Sequence, residues 1–282
     1  MTLRHRRAPP SPAPPSPGPG LRRALGFWEV TAGGVGIIIG AGIYVLVGAA
    51  TERAGAAVWV AFVLAAVLSA LTGLSYAELA SMFPSAGAEY EYTRRAFPHW
   101  LAFTVGWVMV AGLVVAAAAV SLGFGRYLDH FLPLDSRIGA LGLLALVAGI
   151  AVVGIKQSVR VTVALSVVQV GGLVAIILIG APHVGEVDLL ESTGPVGILG
   201  AAALVFFAFI GFDEVITRAE ETHDPTRTVP RALLTALAIS TVLYVAVAVA
   251  AVSVLGAAAL GASSRPLADV MAHVATPARR RW

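Results

Sequence analysis

Seven stretches of this chain contain no Asp, Glu, Lys or Arg: residues 30–51, 54–77, 96–125, 138–155, 161–185, 192–212 and 232–264. Each is at least 18 residues long, with 138–155 the shortest. An α-helix needs roughly 20 apolar residues to cross the hydrocarbon core of a bilayer, so these are candidate membrane spans. Runs such as LVVAAAAVSLGF and LYVAVAVAAVSVLG are continuously apolar, whereas barrel strands would alternate over about ten residues. Helices satisfy their own backbone groups in lipid, so the expected fold is an all-α polytopic membrane protein of about seven transmembrane helices. Composition agrees. Only 12% of the residues are charged and 58% are hydrophobic, against about 25% charged in soluble proteins, which excludes an ordinary soluble enzyme.

The placement of basic residues sets the expected orientation. With a cytoplasmic N-terminus, that side carries twelve Lys or Arg before the last stretch, among them Arg94, Arg95, Lys156, Arg160, Arg218, Arg227 and Arg231. The other side carries three, Arg53, Arg126 and Arg137. The expectation is a multi-pass protein of the plasma (inner) membrane with its N-terminus in the cytoplasm. The formal charge of +3 then reflects loop placement, and no nucleic-acid partner is read from it.

Residues 1–25 form a tail with seven prolines between Pro9 and Pro19, expected to be disordered. No apolar run directly follows its basic start, so it is not a signal peptide. Residues 26–264 are the expected transmembrane domain and 265–282 a C-terminal tail. With no cysteine there is no disulfide, thiolate metal site or thiol nucleophile. There is also no GxSxG, no phosphate loop and no His–carboxylate pair at metal spacing within a span, so neither an enzyme nor a cofactor is expected.

Two of the stretches are interrupted. The first, VTAGGVGIIIGAGIYVLVGAAT, contains six glycines. Close helix packing accounts for Gly33, Gly36, Gly40 and Gly48. Gly40-Ala41-Gly42 has a second reading, a locally unwound backbone whose free amides can hold a carboxylate. The sixth stretch has Gly211 between large apolar residues, followed directly by Asp213 and Glu214. Either the span ends at Phe212, or helical spacing continues through VITRAEE to the stop at Asp224-Pro225 and both acids lie within it. A carboxylate there costs about 2.5–3.5 kcal/mol on insertion scales and usually faces a cavity or partner. Spans one and six would each open a five-helix repeat, and glycine interruptions at corresponding positions point to a binding site at the midplane.

Three segments, VGIIIGAGIYVLVGAA (35–50), LSYAELASMFPSAGAEYEYTRRAF (74–97) and FFAFIGFDEVITRAEETHDPTRTVPRA (206–232), together resemble the amino acid–polyamine–organocation (APC) superfamily, nearest its bacterial and cationic amino acid permeases. The resemblance implies a LeuT-type five-plus-five inverted-repeat fold and secondary transport of amino acids or related amines. It implies that amides of Gly40, Ala41 and Gly42 hold the substrate carboxylate, and that carbonyls of Ile38, Phe207, Ala208 and Ile210 hold its ammonium. Phe207 and Phe209 would wall the cavity or pack in the core. Asp213 stands where the family often carries an acid, for proton binding or gating. Where some proton-coupled members have a lysine in helix five, this chain has Gln169, which cannot carry the proton but can hydrogen-bond between helices. Glu78 would brace a cytoplasmic gate by pairing with Arg94 or Arg95, or lie at a solvated helix end. The segment HDPTRTVPRA reads as a helix stop, a basic loop and a Thr-Val-Pro start for helix seven.

The resemblance breaks near the C-terminus, where RPLADVMAHVATP resembles the approach to an eighth helix and ARRRW replaces the apolar run that should follow. The expectation is an N-terminal fragment of a truncated or frameshifted permease, with the second repeat incomplete. The alternative is a non-transporting membrane remnant, or a chain that docks on another polytopic protein. The substrate, the coupling ion and the oligomeric state stay open.

Overall fold

The computed structural model describes residues 25–83, 88–129, 132, 134–153 and 155–275. The expected Pro-rich tail up to residue 24 and the ARRRW terminus lie outside the described residues, as does the 84–87 part of the second motif. In chain order the helices are α1 (Phe27–Ile39), α2 (Gly42–Ala54), α3 (Val58–Met82), α4 (Ala88–Ala96), α5 (His99–Leu128), α6 (Ser136–Val153), α7 (Ile155–Gly180), α8 (Pro195–Phe206), α9 (Glu214–Thr217), α10 (Pro225–Leu255), α11 (Ala257–Ala262) and α12 (Pro266–Ala275). Among the described residues only two isolated bridges, and no strand, accompany them.

Among the described residues five apolar segments are long enough to cross a bilayer: Val58–Met82, His99–Leu128, Val163–His183, Pro195–Thr217 and Pro225–Leu255. α1 and α2, bent by 47°, make a sixth as a broken span. Residues 138–155 contribute the shorter apolar helix Ser136–Val152. At 1.5 Å per residue α6 measures about 27 Å, just short of a 30 Å hydrocarbon core.

α3 and α10 form the centre of the bundle. Along α3 a small residue recurs every fourth position, Ala61, Ala65, Ser69, Gly73 and Ala77, and all five are buried. This narrow ridge lets α10 approach closely. A Cβ placed on Gly73 would come within 3.1 Å of Leu233 and Leu237. Because lipid tails are as apolar as Leu, such contacts hold helices together by dense packing rather than by escape from water.

The two broken spans wrap this centre in exchanged positions. α1 packs on α10, while α8 packs on α3. Their outer ends are tied together as well: Leu25 N–H donates to the Glu221 carbonyl (3.0 Å) and His223 N–H to that of Leu25 (2.9 Å). At the opposite end Ala57 N–H donates to the Glu191 carbonyl (3.0 Å). The start of the first span thus meets the end of the sixth, so the two run antiparallel, as an inverted repeat requires.

The seventh span begins earlier than Thr-Val-Pro. Asp224 adopts φ +45°, Pro225 occupies the first helical turn, and Pro230 lies inside α10 rather than at its start. Pro fits the first turn because the N–H it lacks would be unpaired there. Gly256, at φ +76°, ends α10, and α12 then packs back on α2, α7 and α10 with Leu267 and Val270 buried in the common core. Residues 266–275 are therefore built into the bundle.

Candidate functional site

The breaks in the two spans coincide in space. α1 stops at Ile39, Gly40 takes φ +38°, and α2 starts at Gly42. In the sixth span α8 stops at Phe206, a 3-10 turn covers Phe207–Phe209, Gly211 takes φ +120°, and α9 resumes at Glu214. A residue with a Cβ is strained at such angles, so glycine is required at both points. A Cβ on Gly42 would lie 2.8 Å from the Cα of Ala208, and one on Gly211 would lie 3.1 Å from Ile37. The first span is thus interrupted at Gly40-Ala41, and the apolar segment of the sixth runs on to Thr217, past Asp213 and Glu214.

A cavity of about 210 Å³ opens at the junction. Ile38, Gly40, Ala41 and Gly42 line it from the first span, and Phe207, Ala208, Ile210 and Asp213 from the sixth. α5 supplies an apolar wall of Leu113, Ala116 and Val120. Phe209, by contrast, is fully buried and packs edge-on against Tyr244 with centroids 5.0 Å apart. It belongs to the core and not to the cavity wall. Ala41 at the N-cap of α2 offers no side-chain acceptor, so the first amides of that helix keep their donor capacity and their partial positive charge. Such an end suits an anion. Asp213 Oδ1 accepts the Gly211 N–H at 3.0 Å, which closes the turn and aims the carboxylate at the cavity rim.

One residue central to this geometry carried no sequence signal. Tyr244 of α10 is completely buried, and its hydroxyl lies 2.8 Å from the Ile38 carbonyl, 3.0 Å from that of Ile39 and 2.8 Å from that of Ala208. With a single proton the hydroxyl serves one of them at a time, and so joins the two breaks through one group. The carbonyls of Ile38 and Ala208 thus already have a protein partner, each retaining a second lone pair. That of Phe207 accepts the Ile210 N–H at 3.2 Å. A tyrosine inside an apolar run reads as interfacial or core, and only folding brings it beneath both breaks.

Gln169 is outside the cavity lining. Its Nε2 donates to the Gly36 carbonyl at 3.1 Å, and its own carbonyl accepts the Tyr44 hydroxyl at 2.5 Å, so α7 braces both halves of the first span. Tyr127 adds a third brace, donating to the Tyr44 carbonyl at 2.7 Å. The expected pairing of Glu78 does not form. Glu78 is exposed, and Arg94 and Arg95 both bind Glu91 instead, at 3.0 and 2.8 Å. Spacing decides it, since Glu91 sits three and four residues before these arginines on α4. Together they hold the Glu91 carboxyl below the usual glutamate range, Arg95 contributing most.

A larger cleft of about 740 Å³ lies between α1, α7 and α10, with Trp28, Val163 and Ile239 among its lining and Arg218 at its edge. Its walls are mainly apolar and neither span break lines it, so the smaller cavity is the better candidate.

The chain matches the family described as amino acid permease over residues 25–282. It is 34% identical over 276 residues to the branched-chain amino acid permease BcaP of Bacillus subtilis (strain 168), covering 89% of this chain and 59% of that protein. It is 32% identical to the methylthioribose transporter of the same organism, over 80% of this chain and 54% of the relative. To the vacuolar cationic amino acid transporter 4 of Arabidopsis thaliana it is 36% identical, over 81% and 43% respectively. The chain thus spans about half the length of these curated relatives.

Proposed function

Because the chain belongs to the amino acid permease family, we propose that it forms the N-terminal part of a secondary active transporter moving amino acids or related amines across the plasma (inner) membrane, coupled to protons. The observation that carries this reading is the cavity between the two touching breaks. One wall presents the uncapped amides of Gly40, Ala41 and Gly42 to the substrate carboxylate. The carbonyls of Ile38, Phe207, Ala208 and Ile210 face the ammonium, Ile38 and Ala208 through the lone pair that Tyr244 does not use. An amino acid zwitterion matches this pairing of opposite partial charges. At about 210 Å³ the cavity is below the roughly 300–1,000 Å³ of drug-sized sites, which suits a small solute.

In this scheme Asp213 takes the proton or gates the cavity, since Gln169 has no titratable group. Gln169 positions the first span. Glu78, exposed and unpaired with Arg94 or Arg95, is left as a solvated end of α3. The twelve-to-three excess of basic residues before the last stretch supports a cytoplasmic N-terminus.

The test is uptake by the complete transporter in proteoliposomes, with and without an imposed proton gradient, across a full panel of amino acids and amines. Gradient-stimulated uptake that Asp213→Asn diminishes is the expected result. If no member of the panel is moved, the transport reading is wrong, and the chain is better viewed as a non-transporting membrane protein whose exposed α5 faces lipid or another chain.

A further inference from the structure

Behind the broken sixth span lies a polar cluster that the proposed transport site does not use. Glu89, on α4, accepts the Tyr76 hydroxyl of α3 through Oε1 at 2.6 Å. Its other oxygen, Oε2, is buried and has no hydrogen-bond partner among the described residues. The hydroxyl of Tyr92, a residue only 8% exposed, is likewise buried without a partner, and the Glu89 charge reaches it. A carboxylate oxygen and a phenol, both buried and both without a partner among the described residues, are costly to leave so. A proton on Oε2 removes the charge and supplies the missing donor.

This cluster is connected to the break. The Tyr76 ring meets the Phe212 ring edge-on, with centroids 5.6 Å apart and planes at 88°. Phe212 stands between Gly211 and Asp213, in the irregular segment itself.

We propose that Glu89 is a proton-binding carboxyl whose charge state sets, through Tyr76 and Phe212, the position of the broken segment that carries Ile210 and Asp213. The proton passes from water to Oε2. The short charge-assisted bond from Tyr76 becomes a weaker neutral one, and the Tyr76 ring is freed to move against Phe212. The groups around Glu89 are Tyr76 from α3, Tyr92 from its own helix and the Glu214 carboxylate from the sixth span; Asp213 acts on Tyr76 and Glu214, and Arg218 on Glu214. Arg94 and Arg95 are engaged by Glu91, and α5, which packs on α4, carries no charged side chain between residues 99 and 125 apart from His99. Burial first, and the Glu89 charge second, push the Tyr92 hydroxyl up to about 12, so it stays protonated at neutral pH.

The proposal rests on the reading of the cavity at the two breaks as a transport site, but its test needs no transport. The chain has no cysteine, so a single Ile210→Cys substitution gives a unique thiol at the cavity. Its labelling rate, normalised at each pH to that of the denatured protein, is measured for the full chain in nanodiscs alongside infrared difference spectra. The expected result is a several-fold change of rate with pH, lost in the added Glu89→Gln variant together with one titrating carboxylic-acid band, while Asp213→Asn keeps that band. Tyr76→Phe, which retains the carboxyl, keeps the band and loses the pH-dependent labelling. It stands in if Glu89→Gln fails to fold. A band that survives Glu89→Gln, or labelling equally pH-dependent with and without Tyr76, overturns the proposal. A chain that moves no substrate but shows both signals refutes the transport reading and leaves this one standing.

Discussion

Replacing Tyr244 by Phe removes one oxygen and nothing else from the point where the two broken spans meet. The ring keeps its edge-on contacts with Phe62 and Phe209, at 5.8 and 5.0 Å, so packing is preserved. What is lost is one hydrogen bond, shared in turn by the carbonyls of Ile38, Ile39 and Ala208 in a fully buried site. A net buried hydrogen bond contributes about 1 kcal/mol, and an acceptor left dry costs about 1–3 kcal/mol. Because the single proton already leaves two of the three carbonyls unserved at any instant, only one new orphan is created. Averages of about 0.6 kcal/mol for hydrogen bonds between membrane helices pull the expectation down. The predicted loss is therefore about 1–2 kcal/mol, read by equilibrium unfolding in mixed lipid–detergent micelles. Amide exchange should rise at Gly40–Ile43 and Phe207–Gly211 and stay unchanged in the middle of α3. A variant within about 0.3 kcal/mol of the parent, with unaltered exchange at both breaks, would show that the hydroxyl does not join them.

Gly42→Ala places a methyl 2.8 Å from the Ala208 backbone and should cost about 1–3 kcal/mol of unfolding free energy. In contrast, Gly112→Ala on α5 meets nothing within 4 Å and should be neutral or stabilising by up to about 1 kcal/mol in the same assay. Gly211→Ala, forced to hold φ +120°, should destabilise by about 1–3 kcal/mol, with circular dichroism checking that overall helix content is kept. For Glu91 the folded pKa is depressed, so its pairing with Arg94 and Arg95 contributes above the ordinary glutamate value and is lost as pH falls through the depressed one. Acid titration of amide exchange in α4 should show that loss, and Glu91→Gln should flatten the profile in the same window.

Much of this architecture is legible in the chain because lipid imposes a one-dimensional rule. A span must be long, apolar and free of charge, and that property can be counted residue by residue. The breaks at Gly40 and Gly211 were legible as weaknesses, since glycine between bulky apolar neighbours lowers local helix stability. That weakness alone did not say whether the backbone unwinds. The small ridge on α3 was present in the sequence as a four-residue recurrence, but alanine is too common in such helices for it to stand out before α10 is seen against it.

What the sequence determined by itself was the class of fold, the position of the spans and the two places where helix geometry is weakest, all properties of hydropathy and backbone preference local to a few residues. The tertiary structure alone decided that the two weak points touch, that Tyr244 lies beneath both, and that the Tyr76 hydroxyl of α3 reaches Glu89 of α4. Each of these depends on distances between residues that local helical spacing does not bring together. Hydrogen bonds and burial act over a few ångströms in space, and linear composition does not encode which segments come that close.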